Sequence, residues 1–85
     1  MKNRNKILLQ ILIAAEEYEI EIIRINFTII NAIMDEVEFT FKTVNDKFTI
    51  KYLYEKDYMY EVNNVGCYIK YRLSDLLKEG KINEW

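Results

Sequence analysis

Residues 37–73, VEFTFKTVNDKFTIKYLYEKDYMYEVNNVGCYIKYRL, decide the fold. Val37, Phe39, Phe41 and Thr43 alternate with Glu38, Thr40 and Lys42; after Val44, Phe48, Ile50, Tyr52 and Tyr54 alternate with Thr49, Lys51 and Leu53. Alternation of β-branched and aromatic residues with polar ones sets one face of a strand against a core. Asn45-Asp46 between the two runs tolerates positive φ, which predicts a two-residue hairpin turn. That turn sets Phe41 against Ile50, Phe39 against Tyr52 and Val37 against Tyr54, all on one face, as facing residues of an antiparallel pair must be.

The same reading continues through two more turns. Glu55-Lys56-Asp57 is a polar connection that predicts pairing of Tyr54 with Tyr58, Tyr52 with Tyr60 and Ile50 with Val62. Asn63 to Gly66 reads as a four-residue turn, bringing Val62 opposite Cys67, Tyr60 opposite Ile69 and Tyr58 opposite Tyr71. The expectation is a four-stranded antiparallel meander over 37–73 with one apolar face.

Upstream, Ile7 to Ala15 (ILLQILIAA) is almost wholly apolar and follows the basic start MKNRNK. A basic start and a short apolar run have the outline of a cleaved secretory signal, but Gln10 interrupts the run and no Gly or Pro follows it. The run is far short of the ~20 apolar residues that span a bilayer. The preferred reading is a core helix from about 5 to 17, with Asn5 as N-cap and Ile7, Leu8, Ile11, Leu12 and Ala15 on the face that lies across the meander. Residues 18–34 carry two patterns. Tyr18, Ile20 and Ile22 alternate with Glu19 and Glu21, and the phase then flips to Ile23, Ile25, Phe27 and Ile29, as in a bulged strand. Glu17, Glu21, Arg24, Thr28, Asn31 and Asp35 also form a helical polar stripe. A helix unbroken from 5 to 35 would be ~45 Å long and overhang the sheet, so a fifth strand over 18–30 is favoured. Ser74 to Gly80 (SDLLKEG) reads as a short C-terminal helix with Ser74 as N-cap and Gly80 as its stop. Trp85 either packs back or projects as an anchor.

The 85 residues contain no Pro and only Gly66 and Gly80, so no flexible linker divides the chain. A single α+β domain over 1–85 is expected: an N-terminal helix on an antiparallel sheet, with a short C-terminal helix. Ile, Lys, Asn and Tyr make 37 of the 85 residues, the signature of an AT-rich genome such as that of a low-GC bacterium, its phages or its plasmids.

The chemistry available is sparse. The chain has no His, which removes the commonest general base and transition-metal ligand, and leaves Ser74 without a partner for serine catalysis. The lone Cys67 is placed on the apolar face of the sheet; it precludes an internal disulfide and fits a reducing, cytoplasmic setting. Asp35, Glu36 and Glu38 lack the spacing of a calcium loop, and no Gly-rich phosphate loop is present. No enzyme activity, cofactor, metal or membrane partner is expected.

Partner chemistry therefore carries the reading. The net charge is −2, and residues 16–38 hold seven acids (Glu16, Glu17, Glu19, Glu21, Asp35, Glu36, Glu38) against Arg24 alone. The outward positions Lys42, Lys51, Tyr68, Lys70 and Arg72 point to a nucleic-acid face, but Glu61 and Asp57 are expected opposite two of them. Tyr52, Tyr54, Tyr58, Tyr60 and Tyr71 gather at one end of the apolar face. Phe would serve a dry core better, because a buried hydroxyl needs a partner. A partner surface built from these tyrosines and from Glu17, Glu19, Glu21, Asp35 and Glu36 is the leading expectation. A nucleic-acid-binding regulator comes second, and a structural subunit or homodimer joined through a sheet edge third. In size, acidic balance and lack of catalytic residues the chain resembles the small acidic proteins of phages and mobile elements that bind and block a host enzyme, such as anti-CRISPR proteins. The resemblance rests on no motif and implies no particular site residue.

Overall fold

The computed structural model describes residues 2–43 and 46–80. The chain runs α1 (Lys2–Tyr18), β1 (Glu21–Ile29), β2 (Met34–Lys42), β3 (Lys47–Glu55), α2 (Met59–Asn63) and α3 (Val65–Lys78). The strands form an antiparallel sheet in the order β1-β2-β3, and the helices cover one face of it. This is an α+β fold with three strands, where five were expected.

Central strand β2 shows why the sheet forms. Asp35, Val37, Phe39 and Phe41 are buried, while the residues between them face outward. β1 is the strand expected over 18–30, and its pairing is interrupted between Ile22 and Arg24, where the apolar phase flips. The bulge lets Ile22 and then Ile25 and Phe27 all serve the core face, which rules out the helical alternative for this segment. The β2–β3 register lies two residues from the predicted one: Phe41 faces Phe48, Phe39 faces Ile50 and Val37 faces Tyr52. Thr43 N–H donates to Asp46 O at 2.8 Å, so Asp46 belongs to the pairing and is not a central turn residue. A two-residue shift leaves every side chain on its original face, so the apolar pattern fits both registers equally well.

The sheet ends at Glu55. The predicted third and fourth meander strands over residues 58–73 are helical, so none of the pairings from Tyr54–Tyr58 to Tyr58–Tyr71 is made. Val62, Val65, Ile69 and Leu73 are spaced by three, four and four, and all are fully buried along one helical side. Two successive helices, α2 carrying Val62 and α3 the other three, return those four residues to the core, whereas a strand would leave Val65 in a turn. α3 also absorbs the expected short helix: Ser74 lies inside it rather than at its N-cap. Gly80 does end it, at φ +72° with its N–H on Leu77 O at 3.0 Å. Cys67 is exposed on α3, not buried on the sheet.

α1 docks through Ile7, Ile11, Ala14 and Ala15, while Leu12 turns outward at 49% exposure. It begins at Lys2, so Asn5 is an interior residue and not the N-cap. Its C-terminus closes with Ile20 N–H on Ala15 O and Glu19 N–H on Glu16 O, the Schellman pattern, which forces Glu19 to φ +52°. Gln10, the polar interruption of the apolar run, faces α2 and α3. Its amide donates to Val62 O at 2.8 Å and its carbonyl accepts Gly66 N–H at 3.0 Å. Tyr18 and Ser74 hydroxyls meet at 2.7 Å and tie the far ends of α1 and α3. Among the described residues no helix is long and apolar enough to cross a membrane. Trp85 lies outside the described residues.

Candidate functional site

Asp35 shares the inward parity of Val37, Phe39 and Phe41, and it is the one charged side chain in the buried set, at 4% exposure. Burying a carboxylate is costly unless cations and donors meet it. Arg4 supplies both, with Nε at 3.2 Å and Nη2 at 3.1 Å from Oδ2, and Lys56 Nζ lies 3.7 Å from Oδ1. The Arg4 guanidinium also stacks over Phe27, 5.2 Å from the ring centroid. Tyr54, directly opposite Asp35 in the sheet, is 1% exposed and its hydroxyl makes no well-formed hydrogen bond. Burial, then the Asp35 charge, push that hydroxyl from its ordinary 10.0 up to about 12.

This ion cluster fixes one end of the molecule. Arg4 comes from the start of α1, Asp35 from β2 and Lys56 from the β3–α2 connection. Two further bonds seal the joint: Asn3 Nδ2 donates to Lys56 O at 2.6 Å, and Lys56 N–H donates to Ile33 O at 2.9 Å. In the β1–β2 turn, Asn31 Oδ1 accepts the N–H groups of Ile33 and Met34, both at 2.8 Å. Two connections that would otherwise be loose loops are held as one surface.

That surface is apolar at its centre and acidic around it. Ile33 is 63% exposed, Tyr58 50% and Tyr60 68%, with the two tyrosine rings 5.8 Å apart. Ala32, Ile33, Glu55, Asp57 and Tyr58 line an open depression of about 310 Å³. Ile30 and Leu53 are also exposed, at 49% and 52%. Glu55 and Asp57 at the edge of the depression have no ion-pair partner among the described residues, and Lys56 is turned inward onto Asp35.

The five expected tyrosines do not share one face. Tyr54 is core. Tyr52 is half-buried, its hydroxyl donating to Glu61 O at 2.9 Å and its ring 5.0 Å from that of Tyr68, and burial followed by the Glu61 charge raises its pKa. Tyr71 stands on the solvent side of α3, and only Tyr58 and Tyr60 reach the apolar end. The expected acids separate as well. Glu17 pairs with Lys70 at 3.1 Å, Glu21 with Lys42 at 3.3 Å, Glu19 occupies the α1 cap and Asp35 is internal. Glu36 lies on the outer face of the sheet between Thr28 and Leu53, so none of the expected acids lines the depression.

The basic outer face is also redistributed. Tyr68, Lys70 and Arg72 lie on α3, and Lys51 neighbours Glu38 at 3.6 Å instead of facing Glu61. Ile33 and Leu53 are the residues that sequence reasoning passed over. Their signal was available: Leu53 breaks an otherwise polar outward row with Thr49 and Lys51, and Ile33 is a bulky apolar residue in a connection. The chain matches no protein-family model, no curated protein and no solved structure at a level that marks a relationship.

Proposed function

We propose that the protein is a non-catalytic protein-binding module, and that its contact surface is the Ile33–Tyr58–Tyr60 end. The observation that carries this reading is a large exposed apolar and tyrosine area tied down by the Arg4–Asp35–Lys56 ion cluster, whose carboxylate is buried. A rigid surface loses little entropy on association, and exposed Tyr beside Ile is the composition of a binding hot spot. The acidic rim of Glu55 and Asp57 selects a protein partner with an apolar centre and basic surroundings. Stoichiometric occlusion is the mode of action that suits such a surface, as in the small blocking proteins of phages and mobile elements.

The test is a pull-down from lysate of the source organism at moderate salt. One partner in stoichiometric amount is expected. Ile33→Asp and Tyr58→Ala, each truncating a central contact, are expected to weaken it by at least about 2 kcal/mol, roughly 30-fold in Kd. Tyr71→Ala, on α3, is expected to leave it unchanged. Equal retention by all three variants would move the contact surface elsewhere. Turnover of a small molecule by the purified chain alone would replace the reading altogether.

A further inference from the structure

The two edges of the sheet are built differently. Edge strand β3 carries Lys47 and Lys51, and its last N–H, on Glu55, is taken by the Glu61 carboxylate at 3.3 Å. Charged side chains and covered N–H groups are the usual protection of an edge against pairing with another strand. β1 has neither along its second half, where Ile25, Asn26, Phe27, Thr28 and Ile29 follow one another without a charge. Ile23 and Ile29 on this strand are 46% and 66% exposed.

We propose that β1 is a self-association site: two copies of this chain join antiparallel along β1, forming one six-stranded sheet about a two-fold axis at Asn26. This interface is separate from the Ile33–Tyr58 surface, and it stands or falls independently of the partner reading. The backbone sets the register. Ile30 N–H donates to Met34 O, so along β1 the even-numbered residues turn toward β2, and Ile25, Phe27 and Ile29 direct their N–H and C=O groups outward. A two-fold at Asn26 sets Ile25 against Phe27 of the second copy, twice, exchanging hydrogen bonds between groups that already point at each other.

The side chains agree with that register. Ile25 and Phe27 both lie on the core face, so their pairing across the axis extends the apolar layer. On the outer face, Arg24 stands beside Thr28 of the second copy, and Glu36 of that copy follows in the same row, because Thr28 faces Glu36 within each chain. Two strand spacings of ~4.8 Å separate them, roughly 10 Å, which Arg and Glu side chains span together. Arg24 lies 3.9 Å from Glu38 of its own chain, which Lys51 also approaches at 3.6 Å, and at 64% side-chain exposure it is open to a second carboxylate; Glu36 has no ion-pair partner among the described residues. The charge match occurs twice and identifies a second copy as the occupant, because an unrelated strand has no reason to carry it. The helix layer is consistent. α1 turns Arg4 toward Phe27 and turns Gln10 and Glu17 toward α2 and α3, leaving half-buried Leu8 and exposed Leu12 on the flank beside β1.

Asn26 faces Asn26 of the second copy as a pair without mutual hydrogen bonds, at a Cα separation of ~4.5 Å that suits a disulfide. Asn26→Cys in a Cys67→Ser background is therefore expected to form an interchain disulfide on mild oxidation. Thr28→Cys in the same background is not, since the two positions lie ~14 Å apart. By sedimentation equilibrium the unaltered protein is expected to reach twice its 10.3 kDa mass with rising concentration. Arg24→Glu and Glu36→Arg are each expected to raise the dimer Kd at least about tenfold, and their combination to restore it, with circular dichroism showing every variant folded. A monomer throughout the micromolar range, disulfide formation at residue 28 but not 26, or no rescue by the double reversal would each overturn the proposal.

Discussion

Three residues show how individual side chains meet demands that the pattern alone does not announce. Asp35 is acidic yet takes the inward parity of β2, so it is held by Arg4 and Lys56 rather than by water. Asp35→Asn leaves two cations beside a buried amide. The expected loss in urea unfolding is about 2–3 kcal/mol, below the ~3–5 of a fully buried pair because Arg4 and Lys56 keep part of their hydration. Tyr54→Phe is expected to be neutral or stabilising by up to about 1 kcal/mol, because the hydroxyl is buried without a well-formed hydrogen bond. The same hydroxyl links stability to pH. Its folded pKa of about 12 lies above the ordinary 10.0, so the folded state holds the proton more tightly. That contribution is fully present below pH 10 and is lost as pH rises from 10 to 12. Unfolding midpoints over that window should fall more steeply for the unaltered protein than for Tyr54→Phe. Glu19 offers a gain instead: at φ +52° a side chain costs roughly 1 kcal/mol that Gly avoids, so Glu19→Gly should raise the midpoint. Asp35 could have been placed by parity with Val37, Phe39 and Phe41. The Glu19 cap could not, because neither Gly nor Asn marks it.

At the scale of elements, β1 was legible because a helix unbroken from 5 to 35 would have overhung the sheet, and β2, β3 and α1 because each has a single dominant period. Residues 58–73 carry two. Tyr58, Tyr60 and Val62, then Cys67, Ile69 and Tyr71, alternate as strands do, while Val62, Val65, Ile69 and Leu73 repeat as a helix does. The helix wins because only the second set reaches the core, leaving Tyr60 and Tyr71 largely in solvent. The β2–β3 register was missed for a different reason: parity fixes pairing only to within two residues, and Thr43–Asp46 rather than Asn45-Asp46 closes the hairpin. Gln10 is the polar link between the first helix and the last two. It looked like a flaw in an apolar run, yet its amide serves Val62 O and Gly66 N–H together. Gln10→Leu strands both backbone groups and should cost about 1–3 kcal/mol in chemical denaturation. Gly66 belongs to the same joint, since a Cβ there would lie 3.2 Å from Gln10 Oε1.

For the whole molecule, the buried ion cluster and the exposed apolar end are two sides of one construction. Arg4, Asp35 and Lys56 join α1, β2 and the β3–α2 connection, and Ile33, whose C=O accepts the Lys56 N–H, and Tyr58 sit on the surface beside this joint. The sequence held the tyrosines and acids but not their grouping, because the chain leaves the sheet after Glu55 and starts α2 at Met59, which sends Tyr58 and Tyr60 outward while Tyr54 goes in. Loosening the joint should therefore weaken partner binding without touching the surface itself: Asp35→Asn is expected to lower affinity in the pull-down even where the protein remains folded. The most direct measurement of the central claim is site-specific photo-crosslinking in cells of the source organism, with a benzophenone side chain at position 58 or position 71. A single discrete adduct from position 58 and none from position 71 is the predicted result. Adducts of equal yield from both positions, or none from position 58, would contradict it.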